Sequence, residues 1–256
     1  MRIIDLSTSV DAEGWEPQPV EHTVVSHAEG AAHMSREMKE KYGLHLDPED
    51  LPGQEFLSID VMRLSTHTGT HVDAPSHYGS SASYGRPRHI DEMPLEWFHG
   101  PGVVLDLTGV EGGVAREEDV AGALAATGHD LAPLDIVLLR TGASVLAGTE
   151  RYFTDFTGLD GPATAFLLDQ GVRVIGTDAF SLDAPFGEII RRFRRTGDRS
   201  VLWPAHMLGR EREYCQIERL ANLDALPSPT GFTVSCPPVR IRGAGAGWCR
   251  AVALVD

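Results

Sequence analysis

The run Ser65-Thr66-His67-Thr68-Gly69-Thr70-His71-Val72-Asp73-Ala74-Pro75-Ser76-His77-Tyr78 decides how this chain is read. From His67 to His77 it places three imidazoles and one carboxylate within eleven residues. In extended chain, side chains alternate faces with period two. His67, His71, Asp73 and His77 share parity, so an extended run projects all four to one side. A helix would align His67 with His71 but turn Asp73 away. Gly69 weakens a helix, and Pro75 removes an amide and clashes one turn back. The sequence therefore predicts extended structure here. Imidazole nitrogen with carboxylate oxygen is the donor set of zinc, with manganese or iron as other occupants. Gly69, on the same face, leaves room for an ion or a substrate. Neither a histidine-rich surface loop nor a set of separately satisfied core histidines accounts well for four such groups, since no tag-like or low-complexity run surrounds them.

The run His-Thr-Gly-Thr-His-Val-Asp-Ala-Pro-Ser-His resembles the signature His-x-Gly-Thr-His-x-Asp-x-Pro-x-His of the metal-dependent cyclase family, which includes bacterial kynurenine formamidases, isatin hydrolases and polyketide cyclases. The resemblance implies that His67, His71 and Asp73 bind metal and that His77 donates and accepts the proton. A second stretch, Trp203-Pro204-Ala205-His206-Met207 followed by Gln216-Ile217-Glu218, is also similar. In the resembling formamidases a histidine and, twelve residues later, a glutamate complete a two-metal site, and His206 and Glu218 have that spacing. Gly176-Thr177-Asp178-Ala179-Phe180-Ser181-Leu182-Asp183 resembles a further block of the family. Asp178 and Asp183 are expected to brace loops or support ligands, because Asx turns are the commoner use of such aspartates. Trp15, in a loop broken by Pro17 and Pro19, stands where the formamidases carry an aromatic pocket wall. Trp15 and Tyr78 are thus the candidate substrate-binding residues. The insertion around residues 27–62 is a departure from the compact formamidases.

Composition narrows the function classes. A formal net charge of −15 disfavours sequence-independent binding to nucleic acid or to an anionic membrane surface. Cys215, Cys236 and Cys249 form no Cys-x-x-Cys pair and read as small core residues of a protein in a reducing cytoplasm. No apolar signal core opens the chain, and no stretch reaches the roughly 18 apolar residues of a membrane span. Gly243-Ala244-Gly245-Ala246-Gly247 is not followed by a helix that would present its amino terminus to phosphate, which argues against a nucleotide loop. No Gly-x-Ser-x-Gly elbow or His-Glu-x-x-His pair supports serine-hydrolase or zincin chemistry.

Strands are expected at 2–6, 22–26, 56–64, 102–107, 135–140, 172–176, 232–235, 239–242 and 250–255, with helices at 30–42, 119–127, 162–170 and 188–195. The 256 residues suffice for one domain, 1–256, of mixed α/β class with many strands and few helices. The resemblance sharpens this to a swivelling β/β/α, barrel-like fold in a homodimer or homotetramer. It implies a zinc or manganese enzyme, with one or two ions per chain. Metal-activated water and His77 as acid and base would hydrolyse an amide, lactam or ester carbonyl of a small aromatic substrate, as in arylformamidases. An alternative use of the same site is ring closure in polyketide or other secondary metabolism. There the arginines from Arg191 to Arg199 would dock an acyl carrier protein. A non-catalytic metal scaffold would leave His77 without a purpose.

Overall fold

The structure, a computed structural model, describes residues 1–255 and divides into two compact units, Gln18–Ser65 and the remainder. After strand β1 (Arg2–Asp5), the chain forms the smaller unit from β2 (Glu21–Val25), α1 (His27–Tyr42) and β3 (Ile59–Arg63). Helix α1 begins three residues before the sequence expectation. Ser26 accepts from the Glu29 amide while the Glu29 carboxylate takes the Ser26 amide, so a capping box outweighs the weak helix former Gly30. Gly43, left-handed at φ 66°, ends the helix. Strands β2 and β3 pair antiparallel from Glu21↔Arg63 to Val25↔Ile59.

The larger unit follows with β4 (His71–Asp73), α2 (Pro75–Tyr78), β5 (His99–Asp106), β6 (Val114–Ala115), α3 (Glu117–Thr127), β7 (Ile136–Arg140), α4 (Glu150–Thr154) and β8 (Gly158–Leu159). It continues through α5 (Gly161–Asp169), β9 (Val174–Thr177), α6 (Phe186–Thr196), α7 (Pro204–Leu208), β10 (Cys215–Glu218), β11 (Phe232–Ser235), β12 (Ala246–Trp248) and β13 (Val252–Val255). Nine of these strands make one mixed sheet in the order β1-β13-β11-β5-β7-β9-β10-β4-β12. The central β5, β7, β9 and β10 run parallel, and the flanking pairs are antiparallel. The mixed α/β class expected from the sequence is observed.

Period-two alternation sorts the central strands between two cores. Val104, Ile136, Leu138 and Val174 enter one core with Val72, Cys215 and Ile217. Val103, Leu105, Val137, Leu139 and Ile175 enter the other, covered by Val120 of α3, Leu167 of α5 and Ala205 of α7. Because Val72 and Ile217 face the first core, His71, Asp73 and Glu218 face the helix-covered side. All three cysteines are free and buried, as small core residues. Among the described residues no helix is long and apolar enough to cross a membrane.

Two expectations are corrected. Residues 239–242 form no strand; the final antiparallel partner of β4 is β12, drawn from the glycine-rich segment. The histidine-rich run is not extended throughout: only His71–Asp73 is strand, Thr66–Thr70 turns, and Pro75–Tyr78 is a single helical turn. Pro75 occupies the first position of that turn, where its missing amide has no helical partner to lose. Gly69 is left-handed at φ 66° and turns the chain between His67 and His71.

Candidate metal centre and its cavity

Cross-strand register builds the centre. In the β4–β10 ladder His71 lies opposite Glu218 and Asp73 opposite Gln216, so these side chains leave the same face of the sheet. The Thr66–Thr70 turn folds His67 back over β4, and α2 does the same for His77 from the other end. The turn is braced by Thr70, whose hydroxyl accepts from the Thr8 amide at 2.7 Å and donates to the Arg219 carbonyl at 2.5 Å. Helix α7 then delivers His206.

All five candidate ligands meet. His67 Nδ1 is 3.0 Å from Asp73 Oδ1 and 3.2 Å from His71 Nε2. His71 Nε2 lies 3.5 Å from Asp73 Oδ1 and 3.7 Å from Glu218 Oε2. His206 Nε2 lies 3.9 Å from Asp73 Oδ2 and 3.9 Å from Glu218 Oε1. Each carboxylate therefore turns one oxygen to the His71 side and the other to His206. Ligand atoms of His67, Asp73 and His77, and separately of His71, Asp73 and Glu218, lie within 4.8 Å of one another.

The tautomers suit a cation. His71 Nδ1 is 2.8 Å from the Gly69 carbonyl, which only accepts, so Nδ1 carries the hydrogen and Nε2 keeps its lone pair. His206 Nδ1 is 2.5 Å from Asp183 Oδ2, which aims Nε2 at the two carboxylates. Asp183 also accepts from the amides of Ala205 and His206, fixing the start of α7. Asp178 accepts from Thr141 and Gly142 and braces the β7 and β9 ends. Both aspartates thus occupy the supporting positions expected of them.

Charge in the centre is strongly perturbed. Burial pushes Glu218 upward, and the neighbouring Asp73 charge adds to it. Burial also opposes ionisation of Asp73, yet the surrounding histidines, His71 foremost, hold it well below the ordinary carboxylate range. Burial lowers His71 to about 4 against the pull of Asp73. For His206 burial is outweighed by Asp183, Glu218 and Asp73, which raise it to about 9. His77 is lowered, first by lost solvation and then by His67 and His206, with Asp73 opposing. Both Asp73 oxygens are buried, and beyond the 3.0 Å approach of His67 Nδ1 to Oδ1 they have no hydrogen-bond partner. A buried carboxylate this poorly satisfied, facing the His71 lone pair, is costly unless a cation joins them. The residues present fit a divalent metal.

The centre forms one wall of a cavity of about 300 Å³. His67, His77, Tyr78, His206 and Glu218 line that wall, and His77 is its most exposed member. Phe180, Phe186 and Trp203 line it as well, with Phe186 and Trp203 edge to face at 5.4 Å. Trp203 is left-handed at φ 46°, a conformation bulky residues rarely adopt. Tyr78 is buried, its hydroxyl donating to the Asp73 carbonyl at 3.2 Å. Trp15 does not line the cavity. It packs on Phe153 at 5.7 Å, and Phe153 packs on both Phe180 and Phe186, which places Trp15 one ring behind the wall. Sequence reasoning missed Phe180, Phe186 and Trp203. The signal available was aromatic residues interleaved with the second and third site blocks, at Phe180 before Asp183 and at Trp203 before His206.

Comparison with known proteins agrees with this geometry. A family model described as "Putative cyclase" matches residues 4–184. Cyclase-like protein 3 of Oryza sativa subsp. japonica is 26% identical over 195 residues, covering 75% of this chain and 63% of its own. The kynurenine formamidase of Salinibacter ruber is 36% identical over 131 residues, covering 51% of this chain and 55% of its own. The chain thus aligns with less than two thirds of the length of these two relatives. A crystal structure of an isatin hydrolase bound to the product analogue thioisatinate superposes with a TM-score of 0.75 at 22% identity, covering 99% of this chain and 92% of its own. The mixed α/β fold of this chain is thus the fold of that structure. With the family model spanning well over half of its residues, the chain belongs to the cyclase family.

Proposed function

We propose that the protein is a metal-dependent hydrolase acting on the carbonyl–nitrogen bond of a small aryl amide or lactam, with an ester as the nearest variant. The observation that carries this reading is the buried, under-satisfied Asp73 carboxylate set among the imidazoles of His67, His71 and His206, beside His77 on an aromatic-lined cavity. His67, His71, Asp73, His206 and Glu218 would hold zinc or manganese, one or two ions per chain. The opposed directions of the two carboxylates suit two. A divalent ion there supplies a Lewis acid for the carbonyl and raises the acidity of water. Phe180, Phe186 and Trp203 hold the aryl ring, with Trp15 supporting them through Phe153 and Tyr78 closing the floor. His77, whose lowered proton affinity leaves it neutral, takes the proton of the attacking water. As the carbon–nitrogen bond breaks, His77 returns that proton to the leaving nitrogen.

The names of similar proteins, a kynurenine formamidase and an isatin hydrolase, support this substrate class. The family match runs through the smaller unit, which supports treating the two units as one domain of the family. A cytoplasmic, homodimeric or homotetrameric enzyme remains part of the proposal; the three unpaired buried thiols suit a reducing compartment. The test is hydrolysis of N-formylkynurenine and isatin by zinc- or manganese-loaded protein, followed by absorbance. Arg191, which the carrier-docking alternative requires, lies in a separate recess and pairs with Glu188 at 3.0 Å. Replacing Arg191, Arg192 and Arg195 together by glutamate should leave hydrolysis within a few-fold. Absence of hydrolysis, with cyclisation of a polyketide that these replacements abolish, would put the ring-closing reading in its place.

A further inference from the structure

Two arginines line the cavity, and their electrostatic states differ. Arg219 is 4% exposed, its Nη1 donates to both Glu16 oxygens at 2.7 and 2.8 Å, and its guanidinium lies 4.2 Å from the Phe180 ring centre. Glu16 neutralises that charge. Arg210 is exposed at the cavity rim, and its Nε donates to the Tyr78 carbonyl at 2.5 Å. Among the described residues no carboxylate stands within ion-pair distance of the Arg210 guanidinium.

Arg210 is nevertheless held in place. A Cβ on Gly79 would come 2.7 Å from Arg210 Nε and 3.2 Å from Cδ, so the arginine stem lies directly on the glycine. Gly79 has an extended φ of 175°, open to any residue, so its glycine answers to space rather than to backbone angle. The Arg210 backbone is fastened as well. Its carbonyl accepts from the Ser83 amide at 2.8 Å, its amide donates to the Met207 carbonyl at 3.0 Å, and the Tyr84 hydroxyl donates to the adjoining Gly209 carbonyl at 2.7 Å. Stem, Nε and backbone are thus fixed, and the terminal Nη1 and Nη2 fork is left for a planar anion. Of the two arginines on this cavity, only Arg210 keeps its charge uncompensated by a carboxylate.

We propose that Arg210 is a specificity-determining residue that receives a carboxylate borne by the aryl substrate. This rests on the hydrolase reading and narrows it: the preferred substrates are aryl amides or lactams carrying an anionic substituent apart from the scissile carbonyl.

The experiment compares two ligand pairs on zinc- or manganese-loaded protein. Formanilide and 4-formamidobenzoate share one scissile group and report on kcat/KM. Acetanilide and 4-acetamidobenzoate serve as binding probes, read by quenching of tryptophan fluorescence. The parent protein should favour the carboxylate member of each pair by roughly tenfold, the scale of a charge-assisted bidentate contact partly open to solvent. Arg210→Met should abolish that preference, Arg210→Glu should reverse it and Arg210→Lys should restore part of it. Added salt should shrink it. Gly79→Ala, which keeps the guanidinium but displaces its stem, should lose it too. No preference in the parent, or one untouched by Arg210→Met because the carboxylate seeks the metal, overturns the proposal. Failure of formanilide hydrolysis alongside an Arg210-dependent binding preference would count against the hydrolase reading and leave the anion site standing.

Discussion

At the scale of single residues the proposed centre separates the groups that would hold an ion from the group that would move a proton. His77 shares a cluster with His67 and Asp73, yet it is the exposed member and opens on the cavity. His77→Ala should therefore keep its metal by mass spectrometry while losing turnover by the roughly 10² to 10⁴ typical of a general acid or base. Loss of the ion itself would make His77 a ligand instead. Asp183 invites the complementary test. Its carboxylate holds His206 Nδ1 at 2.5 Å and caps α7, so Asp183→Asn should weaken metal binding by roughly 10- to 100-fold, as measured by competition with a chelator. Unaltered affinity would show that α7 orients His206 without it. The candidate ligands His67, His71 and Asp73 were legible in the sequence, because imidazoles and carboxylates at such density have few other uses, whereas His206 and Glu218 were legible only through the resemblance and its twelve-residue spacing. The aromatic wall was not: Phe180, Phe186 and Trp203 are ordinary core residues until the fold brings their segments together.

At the scale of elements, the sequence conveyed composition better than shape. Central strands such as Ile136–Arg140 and helices such as Gly161–Asp169 were readable from β-branched runs and from proline and glycine at helix ends. The ligand run was misread as one extended piece because period-two parity was applied across Gly69 and Pro75. Those two residues instead bend the chain on either side of a three-residue strand. The bend makes its own prediction. Gly69→Ala forces a side chain into φ 66° and brings its Cβ to 2.9 Å from Val10 Cγ2. It should cost about 1 to 3 kcal/mol of stability and lower metal affinity, since the turn sets His67 over His71. A melting temperature and metal content equal to the parent's would show that the turn tolerates a side chain.

At the scale of the molecule, the centre joins distant parts of the chain: His67, His71 and Asp73 come from strand β4 and the turn before it, and His206 and Glu218 arrive more than 130 residues later. Binding to the folded state alone stabilises it, by about 2.7 kcal/mol at an ion concentration one hundred times the dissociation constant. Stripping the metal with a chelator should lower the melting temperature by roughly 5 to 10 °C at that saturation. A melting curve indifferent to chelation would deny the centre a metal. Strand β4 is held on one side by β10 and on the other by β12, and its side chains face Glu218 across the ladder. The β4–β10 pair could not open locally while an ion held by Asp73 and Glu218 gripped both strands. Deuterium uptake at the backbone amides of the β4–β10 ladder would then be governed by how long the ion stays, and would serve as a clock for its release.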